Sequence, residues 1–222
     1  CIKKSLTILN FILIIAGWLI LIFLLASICK TLYPIKKELP RKIIHIGTGP
    51  IIALACWFDI PKNLVLPIAS IITIGLFINY QFRFIKAIED IQRKSFGTIL
   101  YGSSITLLIL LFWPKYCIAI TSGILVMAFG DGLAGLIGKE LTSKRWKILG
   151  QEKSIAGTST MCVITISILS LIALITNISI SPIEIIAIGL IATGLEQISI
   201  WGIDNLTVPI SVTLAWISIS SI

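Results

Sequence analysis

The residues best placed to do chemistry are few, and each stands out against apolar neighbours. Asp131 is the one charged residue of Phe129-Gly130-Asp131-Gly132-Leu133-Ala134-Gly135-Leu136-Ile137-Gly138. An ionisable group inside such a run is costly and usually functional. A carboxylate there can hold Mg2+ or accept a hydroxyl proton. Gly130, Gly132 and Gly138 allow close backbone approach; helix packing through small residues explains them but does not explain Asp131. In Arg41-Lys42-Ile43-Ile44-His45, helical spacing puts Arg41 and His45 on one face with Lys42 beside them. Two cations and a histidine suit a phosphate chain. Lys153-Ser154-Ile155-Ala156-Gly157-Thr158 places a lysine, hydroxyls and a glycine where a helix begins, similar in kind to a phosphate cradle. It is not a Walker A loop, and Ser154 reads equally well as an N-cap. Glu196 ends an apolar run, and Asp204-Asn205 sits in the turn that follows.

The elements that must position these residues follow from composition. The chain has 222 residues, 57% hydrophobic and 13% charged. Its mean hydropathy is +1.05. A soluble domain is about 45–50% apolar and about 25% charged, so both disorder and a soluble enzyme are excluded. The expected fold is all-α: one integral membrane domain over residues 1–222, a bundle of seven to eight transmembrane helices. The apolar runs are Leu6–Ile28, Ile43–Phe58, Asn63–Phe82, Thr98–Trp113, Tyr116–Gly138, Thr158–Ile175, Ile183–Trp201 and Leu206–Ile222. The first is too long and too apolar for a signal peptide. Cys1, Cys29, Cys56, Cys117 and Cys162 are scattered without a CxxC pair. They are expected to be small buried apolar residues, neither a zinc site nor a disulfide scaffold.

The net charge of +8 suggests nucleic acid only in a soluble protein, and no polar face for that is visible. Instead, fourteen of the 18 basic residues fall in the loops after the first, third and fifth runs. Those loops are therefore expected on the cytoplasmic side. Asp131, His45, Glu196, Asp204 and Asn205 gather at the same face, while Asp59 and Glu184 lie at the other. A site at one membrane rim fits this placement; a pathway across the bilayer does not.

Taken together these motifs resemble the polyprenol kinase family, which includes phytol kinase, dolichol kinase and the CTP-dependent diacylglycerol kinases. The resemblance runs from Arg41 to Pro209. It includes Arg93-Lys94-Ser95-Phe96-Gly97-Thr98 with Tyr101, and the ending Asp204-Asn205-Leu206-Thr207-Val208-Pro209 is most similar to the phytol kinase branch. It implies transfer of a phosphoryl group from CTP, or UTP, to phytol, geranylgeraniol or a related prenyl alcohol, with Mg2+ as cofactor. The implied setting is the cytoplasmic or thylakoid membrane of a bacterium such as a cyanobacterium.

On that reading Asp131 holds Mg2+ or receives the alcohol proton, and Lys153 acts with it in catalysis. Arg41, Lys42, His45, Ser154, Gly157, Thr158 and Asn205 bind the nucleotide and its phosphates, assisted by Lys144 and Arg145. Glu196 and Asp204 join Asp131 as metal ligands. Two alternatives stay open: a CDP-lipid synthase similar to phosphatidate cytidylyltransferases, and a small membrane transporter, for which midplane charges or repeats would be needed.

Overall fold

The computed structural model describes residues 2–36, 38–82, 84 and 95–220, with the side chains of residues 2–7 left aside. Lys37, Arg83, Lys86, Arg93 and Lys94, assigned above to the basic loops, lie outside the described residues, as do the side chains of Lys3 and Lys4. The helices are α1 (Ile2–Leu32), α2 (Glu38–Trp57), α3 (Lys62–Phe82), α4 (Gly97–Phe112), α5 (Cys117–Leu125), α6 (Gly132–Glu140), α7 (Ile155–Thr176), α8 (Pro182–Gln197) and α9 (Asp204–Ile219). A π-helical turn, Val126–Asp131, joins α5 to α6, so these three form one rod.

Boundaries follow local chemistry. Ser154 caps α7 by accepting from the Gly157 N–H at 3.2 Å. Ser181 and Glu184 form a reciprocal capping box at α8, with Pro182 at its first position. Asn177 ends α7 in the left-handed conformation.

Two features depart from the sequence expectations. The third basic loop is not irregular: β1 (Arg145–Ile148) and β2 (Gln151–Ser154) pair antiparallel. Leu149 and Gly150 turn between them with φ of +50° and +78°. Positive φ at both turn positions matches the strand twist, and Gly150 supplies it without strain. The second departure corrects the cysteine reading. Cys56 and Cys117 form a disulfide across 61 residues, their Cα atoms 5.7 Å apart. Packing of α2 against α5 brings the end of one to the start of the other, which no local spacing announces. Cys29 and Cys162 are free and half-buried.

The interior is apolar and closed around α5, α7, α8 and α9: Ile124, Met127, Met161, Leu169, Ile188, Val212 and Trp216 are fully buried. The outer faces are apolar too. Leu13 is 62% exposed, Ile71 68% and Leu174 75%, the opposite of a water-facing surface. Among the described residues four helices are long and apolar enough to cross a membrane: Ile8–Leu32, Lys62–Phe82, Cys117–Glu140 and Ile155–Thr176. This is a helical membrane protein. Those four are fewer than the seven to eight spans expected, because α4, α8 and α9 have 16 residues each and α2 opens on Glu38, Arg41 and Lys42.

Candidate active site

Three carboxylates meet where three separate segments end. Asp131 is the last residue of the π turn, Glu196 lies in the last turn of α8, and Asp204 opens α9. Each offers an oxygen within 4.8 Å of the other two. π turns insert an extra residue into a helix and recur at functional sites; here the insertion ends on Asp131.

Two lysines face these carboxylates. The Lys42 Nζ donates to Asp131 Oδ2 at 2.6 Å and to the Asp131 carbonyl at 3.2 Å. Its stem lies over Gly135, where a Cβ would stand 3.0 Å from Lys42 Cε. A side chain at this position would push the lysine end aside by a few tenths of an ångström. The Lys153 ammonium pairs with the Glu196 carboxylate and donates to its carbonyl at 2.7 Å. The other Glu196 oxygen accepts from Gln197 Nε2, which also reaches Thr158 Oγ1, each at 2.8 Å. Asp204 accepts from the Asn205 N–H and Nδ2, both at 3.0 Å, and its own N–H donates to Ser199 Oγ at 2.8 Å. Lys42, Glu196 and Asp204 are all buried. Buried charges persist only when paired or hydrogen-bonded, and every one here is.

The Arg41–His45 pair separates onto two partners. His45 Nε2 stands 3.6 Å from Asp131 Oδ2, and its ring lies against Tyr101 with centroids 4.3 Å apart. Arg41 turns to Glu38 Oε2 at 2.6 Å, and Lys139 approaches the other oxygen at 3.2 Å. Burial pushes the Glu38 carboxyl up, but Arg41 and Lys139 outweigh it and hold the group down at about 2. All three residues line the same cavity as the carboxylates.

The glycines act as packing contacts. A Cβ on Gly130 would meet Met161 Sδ at 2.7 Å, one on Gly132 Ile46 Cγ1 at 2.4 Å, and one on Gly138 Ser154 Oγ at 2.9 Å. Ser154 Oγ also donates to the Gly138 carbonyl at 3.2 Å, and Thr158 Oγ1 donates to the Ser154 carbonyl at 2.9 Å. Gly157 packs against Ala134 O. The Ser154–Thr158 segment is thus both a cap and the joint between α6 and α7. Arg145 pairs with Glu152 at 3.4 Å and reaches the Lys139 carbonyl at the end of α6. Lys144 is exposed and outside the cavity wall, so it is not brought to the cluster. Glu38 and Gln197 were not singled out from sequence. Glu38 three residues before Arg41 was the available signal, as an i,i+3 pair; Gln197 gave none.

A cavity of about 790 Å3 runs from this cluster into the membrane part of the fold. At one end it is lined by Lys42, Asp131, Lys153, Glu196 and Asp204. From there it continues as an apolar corridor between the α1–α2 pair and the α3–α4 pair. Three clustered carboxylates are the oxygen-donor set that a hard divalent cation takes, so Asp131, Glu196 and Asp204 fit Mg2+.

The chain is 37% identical over 207 residues to the phytol kinase of Synechocystis sp., covering 90% of this chain and 88% of that protein. No protein-family model and no solved structure matches it.

Proposed function

The chain belongs to the phytol kinase family, and from that premise we propose that it transfers the γ-phosphate of CTP, or UTP, to phytol or a related prenyl alcohol. The single observation that supports this reading best is the continuity of the cavity, with a charged cluster at one end and an apolar corridor at the other. A nucleotide arrives from water and a lipid alcohol from the bilayer, and one cavity with two such ends serves both.

Phosphoryl transfer needs mainly positioning and charge stabilisation. In the proposed reaction the alcohol oxygen bonds to the γ-phosphorus, the bond from that phosphorus to the β-bridging oxygen breaks, and the nucleoside diphosphate leaves. Lys42 and Lys153 exchange their carboxylate partners for phosphate oxygens. Asp131, relieved of Lys42, accepts the hydroxyl proton or serves as a metal ligand. Arg41 and Arg145 line the cavity as guanidiniums suited to bidentate phosphate contact. Asn205 orients Asp204 through its two hydrogen bonds. Mg2+, when bound by Asp131, Glu196 and Asp204, would neutralise developing charge on the transferring phosphate.

The proposed arrangement in the membrane has all eight rods crossing, with the cluster toward the cytoplasm. The disulfide supports that orientation. Cys56 and Cys117 sit at the end of α2 and the start of α5, opposite the cluster, and disulfides persist in oxidising compartments. The test is a reconstituted-protein assay with a panel of prenyl alcohols and all four nucleoside triphosphates. Alcohol-dependent consumption of CTP or UTP is the expected result. Solute flux without nucleotide consumption would contradict it.

A further inference from the structure

The end of the apolar corridor away from the carboxylates is lined by buried side chains that are braced from behind. The floor consists of Phe11, Ala55, Ile60 and Val65, all buried and all lining the cavity. Three ties hold it. Phe58 packs behind Phe11 with ring centroids 6.1 Å apart. The Ile60 carbonyl accepts from Trp113 Nε1 at 3.0 Å. The residue after Ala55 is Cys56, bonded to Cys117. The walls come from α1, α2, α3 and α4, and the outer faces of α1 and α3 are exposed apolar surface. On the corridor wall the Thr73 hydroxyl is engaged within the protein, 2.9 Å from the Ala69 carbonyl and 2.9 Å from Thr106 Oγ1.

We propose that this corridor is the slot for the acceptor's hydrocarbon tail and that its floor sets the longest tail accepted, with Ala69 controlling the room just above the floor. The proposal rests on the kinase reading above. The occupant is a prenyl tail because the slot is continuous with the charged cluster where its hydroxyl group would react, and because the helices that line it carry apolar outer faces suited to lipid. Along α2, His45 at the cluster and Ala55 at the floor are separated by ten residues of helix, a depth of about 15 Å. The cavity's 790 Å3 lies within the roughly 300–1,000 Å3 typical of sites that enclose a whole small ligand. Ala69 lines the slot one turn of α3 above Val65, so a ring there would occupy the space of the tail's end.

The test uses the purified full chain in nanodiscs with C10, C15 and C20 prenyl alcohols. For Ala69→Phe, kcat/KM for the C20 alcohol is expected to fall at least about 10-fold, while the C10 value stays within about threefold. An equal fall for all three lengths would overturn the proposal. Val65→Ala is expected to shift preference toward longer alcohols. A C20 alcohol with a photoreactive group at its tail end gives a readout that needs neither turnover nor a variant. Crosslinks competed by phytol on the 55–69 segment support the slot, and crosslinks confined to other segments overturn it. Should the wild type phosphorylate no alcohol yet crosslink on 55–69, the tail slot stands and the kinase reading fails.

Discussion

Lys42 Nζ and Asp131 Oδ2 form a buried ion pair at 2.6 Å, with side chains only 9% and 14% exposed. The pair joins α2 to the π turn, so it serves both to assemble the site and to hold the carboxylate in place. Removing one partner of a buried pair leaves the other charge uncompensated and typically costs about 3–5 kcal/mol. Lys42→Met is therefore expected to lower the melting temperature as well as activity. Asp131→Asn retains shape and hydrogen-bonding capacity. Its predicted signature is a fall in kcat of at least about 100-fold with a smaller loss of stability, checked by turnover and thermal unfolding of the same preparation.

Lys153 and Glu196 form the second such pair. If Lys153 exchanges Glu196 for a phosphate, Lys153→Met raises the KM for nucleotide more than the KM for alcohol. Lys153→Arg restores little, since a planar guanidinium does not replace a compact ammonium in a closed site. Initial-rate kinetics with each substrate varied in turn measure this split.

The Glu38–Arg41–Lys139 triad gives a pH prediction. The Glu38 carboxyl is depressed to about 2 from an ordinary 4.5. A depressed carboxyl contributes stability that is fully present above the ordinary value and is lost as pH falls through the depressed one. The difference in unfolding temperature between wild type and Glu38→Gln is expected to be constant from about pH 8 to 5 and to shrink steadily below about 4.5. A difference that grows on acidification would contradict the assignment.

The Cys56–Cys117 bond ties together two residues 61 positions apart in the chain. Breaking a link of that kind typically costs about 2–4 kcal/mol. Cys56→Ser with Cys117→Ser is expected to lower the melting temperature while leaving nucleotide affinity unchanged, because the bond lies opposite the cluster. After reduction, an impermeant thiol reagent applied to right-side-out vesicles is expected to label these cysteines.

Much of the site was legible in the sequence because charge in an apolar run is conspicuous. Asp131, Glu196 and Asp204 needed only their position near one end of their runs to be grouped, and the structure brings their oxygens within 4.8 Å. Lys42 and Lys153 were recognised as cations, but their present carboxylate partners were not, since partners lie tens of residues away. Arg41 was grouped with His45 by helical spacing, yet Glu38 on the same helix draws it aside. Lys144 was included for its charge alone and stays at the surface. The hairpin was missed because four-residue strands carry little periodic signal. The disulfide was missed because pairing depends on which helix ends meet. Helix positions were readable from apolar runs, while the corridor between α1–α2 and α3–α4 is a property of packing and has no sequence mark of its own.

The most direct test is the fate of label from CTP in a reconstituted assay with phytol. A γ-phosphate label recovered in the lipid product, with α-label left in the released nucleotide, is the predicted result. Recovery of α-label in the lipid would make the protein a CDP-lipid synthase and contradict the kinase reading.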